Sequence, residues 1–207
     1  MNASDKKDVN DRGNSKGLNT LLYDFKAYKA NFILGDYFVA LGAGVTNAKP
    51  AMEGGIRTTI DQTAHIGAVT VIEKGKEKPL QEGRQSLITF EGQPVWVMQE
   101  GKFAYRVLPE FTRKAFVLTE TCPTNWIKRN RGNAKKGDLP QTVDILRLWV
   151  DHGQASVNDT YGYVVYTGKG RPADTLPFQV LRNDTLVQAV RSVDGKLVGV
   201  VFYPGNK

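Results

Sequence analysis

Trp126, Lys128, Arg129, Arg131, Lys135 and Lys136 crowd into the stretch Asn125-Trp-Ile-Lys-Arg-Asn-Arg-Gly-Asn-Ala-Lys-Lys136. Guanidinium and ammonium groups pair with sulfate or carboxylate, and an indole face can stack on a sugar ring. The chemistry such a set could do is recognition of an acidic ligand, and these six side chains are the substrate-binding candidates. A plainer reading, a solvated basic loop with Trp126 as a core anchor, competes with it and carries more weight.

No residue offers itself as catalytic. His152 sits between Asp151 and Gly153, but acyl transfer or proton abstraction needs a nucleophile or base poised beside it, and the sequence names none. A hydrogen-bonded histidine at a strand end is the expectation. His65 has no partner at metal-ligand spacing, and with two His and one Cys in the chain a zinc site is not expected. No acidic loop resembles an EF-hand. Neither a metal nor a cofactor is therefore expected. Tyr161 and Tyr163 share one strand face while Tyr166 points to the other, so none of the three stands out as a general base. Gly42 and Gly44 do not make a dinucleotide motif, since no helix follows and the third glycine is missing.

The elements that must carry these residues read as strands. Phe32 to Leu34 and Tyr37 to Leu41 are the arms of a hairpin, joined by Gly35-Asp36, a Gly-first connection suited to a tight primed turn. Gly42 and Gly44 then let the backbone bend or approach a neighbour closely. Thr58 to Thr63 and Ala68 to Glu73 follow, with Lys74 to Lys78 as a charged turn. Pro94 to Met98 and Phe103 to Leu108 alternate around Gln99-Glu-Gly-Lys102 as a second hairpin. Ala115 to Thr119 is short. Val143 to Val150 is long and largely apolar, as suits a central strand covered on both faces, with Asp144 and Arg147 at a strand end or paired across strands. Trp96 and Trp149 lie within such patterns and read as core. Tyr161 to Thr167, Phe178 to Leu181, Leu186 to Val190 and Leu197 to Tyr203 end in a meander turning at Asn183-Asp184 and Asp194-Gly195. About eleven short strands at close spacing, without a convincing amphipathic helix, predict an all-β antiparallel β-sandwich.

The 207 residues suffice for a real core. Residues 1–18 have the composition of a disordered leader, and residues 19–207 read as one sandwich domain. Twenty-one Gly and nine Pro fit many turns. The single cysteine, Cys122, excludes an intrachain disulfide and reads as a small hydrophobe. No apolar run approaches the ~20 residues that span a bilayer. Met1 to Gly17 shows no hydrophobic signal region. A formal charge of +7 and a pI near 9.4 favour an anionic partner: nucleic acid, acidic lipid or acidic polysaccharide. No nucleic-acid motif accompanies the charge, so nucleic acid is not the expected partner.

The stretch Lys26 to Thr46, with Tyr37-Phe-Val-Ala-Leu-Gly-Ala-Gly-Val45 at its heart, resembles a signature in the β-sandwich of the family-eight polysaccharide lyases, the chondroitin, hyaluronan and xanthan lyases. Further segments resemble the same region in the same order: Ile56-Arg-Thr-Thr-Ile-Asp-Gln62, Pro94-Val-Trp-Val-Met98 with Phe103-Ala-Tyr105, and Asn125-Trp-Ile-Lys-Arg-Asn130. Leu148-Trp-Val-Asp-His-Gly153 with Tyr161-Gly-Tyr-Val-Val165 continues it. Pro177 to Asn183, Gln188 to Val190 and Gly199 to Phe202 complete it. Ala104 stands where the family usually has Gly.

The resemblance implies breakdown of uronic-acid polymers outside the cytoplasm, hence an extracellular or periplasmic setting and an acidic polysaccharide as partner. In that family an Asn, a His, a Tyr and an Arg on a helical toroid remove the C5 proton of a uronate, which then eliminates the glycosidic oxygen. The resemblance covers neither the toroid nor the glutamate that orients this set, so no catalytic residue carries over to any position here. The expectation is a non-catalytic sandwich domain that supports or binds acidic polysaccharide. The alternative is a lyase active only with a helical catalytic domain or subunit as partner.

Overall fold

A computed structural model describes residues 25–48, 55–73, 75–88, 95–124 and 141–204. The described residues form fourteen strands: β1 (Phe25–Leu34), β2 (Tyr37–Asn47), β3 (Ile56–Ala64), β4 (Val69–Glu73), β5 (Lys76–Pro79), β6 (Ser86–Ile88) and β7 (Val95–Gln99), then β8 (Ala104–Val107), β9 (Ala115–Thr124), β10 (Gln141–Gly153), β11 (Asp159–Tyr166), β12 (Phe178–Asn183), β13 (Val187–Ser192) and β14 (Val198–Phe202). All pairings are antiparallel. The expected leader, residues 1–18, lies outside the described residues.

Three sheets stack. The middle one has seven strands in the order β1-β2-β11-β8-β7-β4-β5; the outer ones are β3-β10-β9-β6 and β12-β13-β14. Alternation along the middle strands feeds two cores. Val97, Tyr105, Val107 and Tyr161 face Leu146, Leu148 and Val150 of the four-stranded sheet. Val39, Leu41, Trp96 and Leu108 face Phe178 and Val190 of the three-stranded sheet. Covered on both faces, β2 is buried without interruption from Val39 to Val45, which is why it reads as an apolar run rather than an alternation.

The expected hairpin is there. β1 pairs β2 through Leu34↔Tyr37, and Gly35 alone takes the positive φ (60°) that a Gly-first primed turn demands. Gly44 also needs its positive φ (67°), and Gly42 packs directly under the Tyr161 ring. The turn expected at 74–78 is shorter than the sequence suggested, because Lys76–Pro79 is itself an edge strand pairing Thr70 to Glu73. Its charges and proline face solvent on every side, so it shows no alternation, and they blunt a sheet edge. Short β6 also went unread.

β10 is central in its sheet, as expected, but only one of its faces enters the layered cores. Leu146, Leu148 and Val150 point inward. Ile145, Arg147 and Trp149 alternate onto the outer face. Trp149 is buried at 7% exposure, under Arg57 and stacked on Phe116 at 5.5 Å, and it belongs to neither layered core. Asp144 sits opposite Thr121, whose hydroxyl donates to it at 2.5 Å, and Arg147 pairs with Glu120 across the strands. The closing meander turns where expected: the Asp184 carboxylate accepts the Leu186 and Val187 N–H groups, both at 2.8 Å. Among the described residues no helix is long and apolar enough to cross a membrane.

Candidate functional site

Trp126, Lys128, Arg129, Arg131, Lys135 and Lys136 lie outside the described residues. They belong to the connection between β9 and β10, whose last described partners, Thr124 and Gln141, face each other across the sheet.

His152 ends β10 with its side chain fully buried. Nδ1 lies 2.7 Å from the Asp159 carboxylate and Nε2 lies 2.9 Å from the Thr58 hydroxyl. The ring packs on Tyr161 at 5.9 Å, and Arg113 stands 3.8 Å from Asp159 on the outside. Asp, His and a hydroxyl in file have the composition of a hydrolytic triad, yet no substrate reaches a ring closed in on all sides. The set instead ties β3, β10 and β11 together, which is the strand-end role expected from sequence. Thr58 went unread because nothing local to β3 marks it as a partner. His152→Ala is expected to cost about 1–3 kcal/mol, the penalty for leaving buried polar groups unpaired; urea unfolding measures it.

Tyrosines fill the seam between the middle and four-stranded sheets. Tyr105 donates a short hydrogen bond to Asp61, and Tyr161 stacks on Tyr163 at 6.1 Å. Tyr166 faces the other core against Trp96, as its position in the strand foretold. Burial, then Asp61, pushes the Tyr105 hydroxyl far above its ordinary 10.0. Burial first, then neighbouring Tyr163, raises Tyr161, and burial, then Asp61, raises Tyr163. Such groups stay neutral in the fold while the unfolded chain ionises. Their contribution is therefore fully present below pH 10.0 and lost as pH rises through the folded-state values. The midpoint of urea unfolding is expected to fall steeply above that pH, and less steeply in Tyr105→Phe.

A cleft of about 930 Å³ opens where the β3–β4 connection meets β5 and β9–β10. Glu82, Glu120 and Asp144 line it, and the Thr119 hydroxyl is buried without a partner among the described residues. Gln99 braces one wall, donating to the Ala64 carbonyl (3.2 Å) and accepting from Ile66 N–H (3.3 Å). The carboxylates give this cleft the wrong sign for a polyanion. Among the described residues no group of three or more His, Cys, Asp or Glu is placed to hold a metal ion.

The outer face of the four-stranded sheet carries a smaller groove of about 250 Å³. Arg57 hangs over it with its guanidinium 5.5 Å from the Trp149 ring centre and 3.9 Å from Asp151. Arg147 of β10 lines it too; the sequence marks Arg147 as a charge in an apolar strand, but not Arg57 as its neighbour, since β3 and β10 meet only in the fold.

The polysaccharide lyase family 8 super-sandwich domain matches residues 12–175. Chondroitinase-AC of Pedobacter heparinus is 29% identical over 192 residues, 89% of this chain and 25% of that protein. A chondroitinase AC lyase solved in oligosaccharide complexes aligns with a TM-score of 0.71 at 25% identity, over 88% of this chain and 27% of the other. The chondroitin AC lyase of Streptomyces coelicolor A3, solved with chondroitin sulphate, gives 0.63 at 26% identity over 90% and 22%. A xanthan lyase of Paenibacillus shares the fold, at 0.70 and 24% identity over 89% and 18%. The chain thus spans about a quarter of the length of the curated relative it matches.

Proposed function

Because the chain belongs to polysaccharide lyase family 8, we propose that it is a non-catalytic β-sandwich domain that supports or binds an acidic polysaccharide, such as chondroitin sulfate or hyaluronan, outside the cytoplasm. The observation that carries this reading is the match to the family's super-sandwich domain in a chain of formal charge +7. A basic protein attracts a polymer of uronates and sulfates over a Debye length, and its arginines and lysines then hold it. Trp126, Lys128, Arg129, Arg131, Lys135 and Lys136 are the proposed contacts. The enclosure of His152 and the seam tyrosines supports a structural part for them rather than proton abstraction.

Calorimetric titration with chondroitin sulfate and hyaluronan tests the reading. Saturable binding is expected, weaker at high salt and weaker when Lys128, Arg129 and Arg131 are changed to Ala. No heat with either polymer, at any salt, would end it.

A second reading has its own support: the chain aligns with only 25% of chondroitinase-AC. In it, the domain is the sandwich part of a β-eliminating lyase whose helical catalytic part acts beside it. Ultraviolet absorbance of unsaturated uronate, followed with and without such a helical domain, separates the two. Product formed only with both parts favours the lyase.

A further inference from the structure

We infer that the groove on the outer face of the four-stranded sheet binds a carboxylate-bearing sugar of an acidic polysaccharide, as a contact separate from the basic β9–β10 connection. This rests on the polysaccharide-binding reading above and gives it a place on the folded sheet.

Among the described residues, the polar ones lining the groove are Arg57, Thr59, Gln62, Gln85, Arg147 and Trp149, and no carboxylate is among them. The larger cleft is lined by Glu82, Glu120 and Asp144, of which Glu120 also reaches Arg147 of the groove. A polyanion therefore meets three carboxylates at the large recess and two guanidinium groups at the small one.

The donors have capacity to spare. Arg57 is exposed over 60% of its side chain and engages Asp151 only across 3.9 Å. Arg147 is held by Glu120, and among the described residues its buried Nε–H has no partner. A guanidinium carries more N–H donors than one carboxylate can engage, so each arginine can serve a second anion in the planar, two-point geometry that a carboxylate fits. Trp149, nine-tenths buried, lines the groove, and among the described residues its buried indole N–H has no partner. Gln62 and Gln85 add amides suited to sugar hydroxyls. At about 250 Å³ the groove lies below the roughly 300–1,000 Å³ of ordinary ligand clefts. It takes one ring of a polymer whose neighbours run across the surface.

The experiment is titration of the protein with hyaluronan and chondroitin sulfate hexasaccharides, by calorimetry and tryptophan emission. Arg57→Ala with Arg147→Ala is expected to weaken both by about tenfold or more, the loss of charged hydrogen bonds. Arg171→Ala with Arg191→Ala removes equal charge elsewhere and is expected to leave affinity within about twofold. Binding is also expected to shift the emission of Trp149, a response missing in Trp149→Phe. If the Arg57/Arg147 variant melts as the wild type and binds as tightly, the inference is overturned. The broader reading then survives, provided changing Lys128, Arg129 and Arg131 to Ala weakens binding. If the wild type binds neither sugar, both readings fall. Should the double alanine variant fail to fold, Arg147→Gln alone decides: an unchanged emission response overturns the groove and a lost one supports it.

Discussion

Gly42→Ala is expected to destabilise the protein by about 1–3 kcal/mol or more, the cost of overpacking a filled interior. Gly42 lies opposite Tyr161 in the β2–β11 register. A Cβ there would stand 2.0 Å from Tyr161 Cε1 and 2.3 Å from Cζ, which no side chain tolerates without movement. The ring has nowhere to go. It is 3% exposed, stacked on Tyr163 and packed against His152. Nor can the backbone retreat freely, since Asn183 donates to both the Gly42 carbonyl (3.2 Å) and the Tyr161 carbonyl (3.1 Å). The clash and the tyrosine are one interaction, so the two changes should not add. In a Tyr161→Ala background Gly42→Ala should cost much less. A denaturant midpoint that falls with unchanged slope identifies lost stability rather than an altered unfolded state. Equal losses in both backgrounds would refute the contact.

Trp96→Ala is expected to cost about 3–5 kcal/mol. Trp96 is fully buried between the middle and three-stranded sheets, opposite Ile72 in the β4–β7 register, with Tyr166 edge-on at 6.5 Å and the Arg106 guanidinium 5.8 Å from its ring. Among the described residues its indole N–H has no partner, so the penalty is one of packing and cavity. Trp96→Phe should therefore recover most of it. Against a total stability of about 5–15 kcal/mol for ordinary domains, the alanine variant should show a measurable unfolded fraction on mild heating. Thermal unfolding of the three proteins side by side checks this, and a phenylalanine variant as weak as the alanine one would contradict the packing account.

The strands were legible where one residue type settles them. Gly35-Asp36 fixes the first turn, Asp184 and Gly195 fix the last two, and the alternation around Tyr105 fixes the second hairpin. Tyr161, Tyr163 and Tyr166 divide between faces as period two requires. Edge strand β5 was not legible: solvent surrounds it, so no apolar rhythm marks it. The third layer was not legible either, since a strand buried on both faces looks the same whatever covers it. Trp149 reads as core and is buried; which face of β10 it takes depends on register, and one residue of shift reverses it. Of the candidate site, the basic cluster is contiguous and could be seen. The groove joins Arg57 to Arg147 and Trp149 across two strands far apart in sequence, and composition does not show that.

The order of the middle sheet also governs when this protein can fold. β2 takes β11 as its second neighbour, and β8 in turn pairs with β11. During synthesis the Val39–Val45 stretch can find its β11 partner only once residues 159–166 have left the ribosome. Closure of so distant a pair is slow, because the loop entropy is lost before its contacts form. In that interval the nascent chain presents an open strand to whatever lies nearby, and its safe arrival depends on that strand remaining alone.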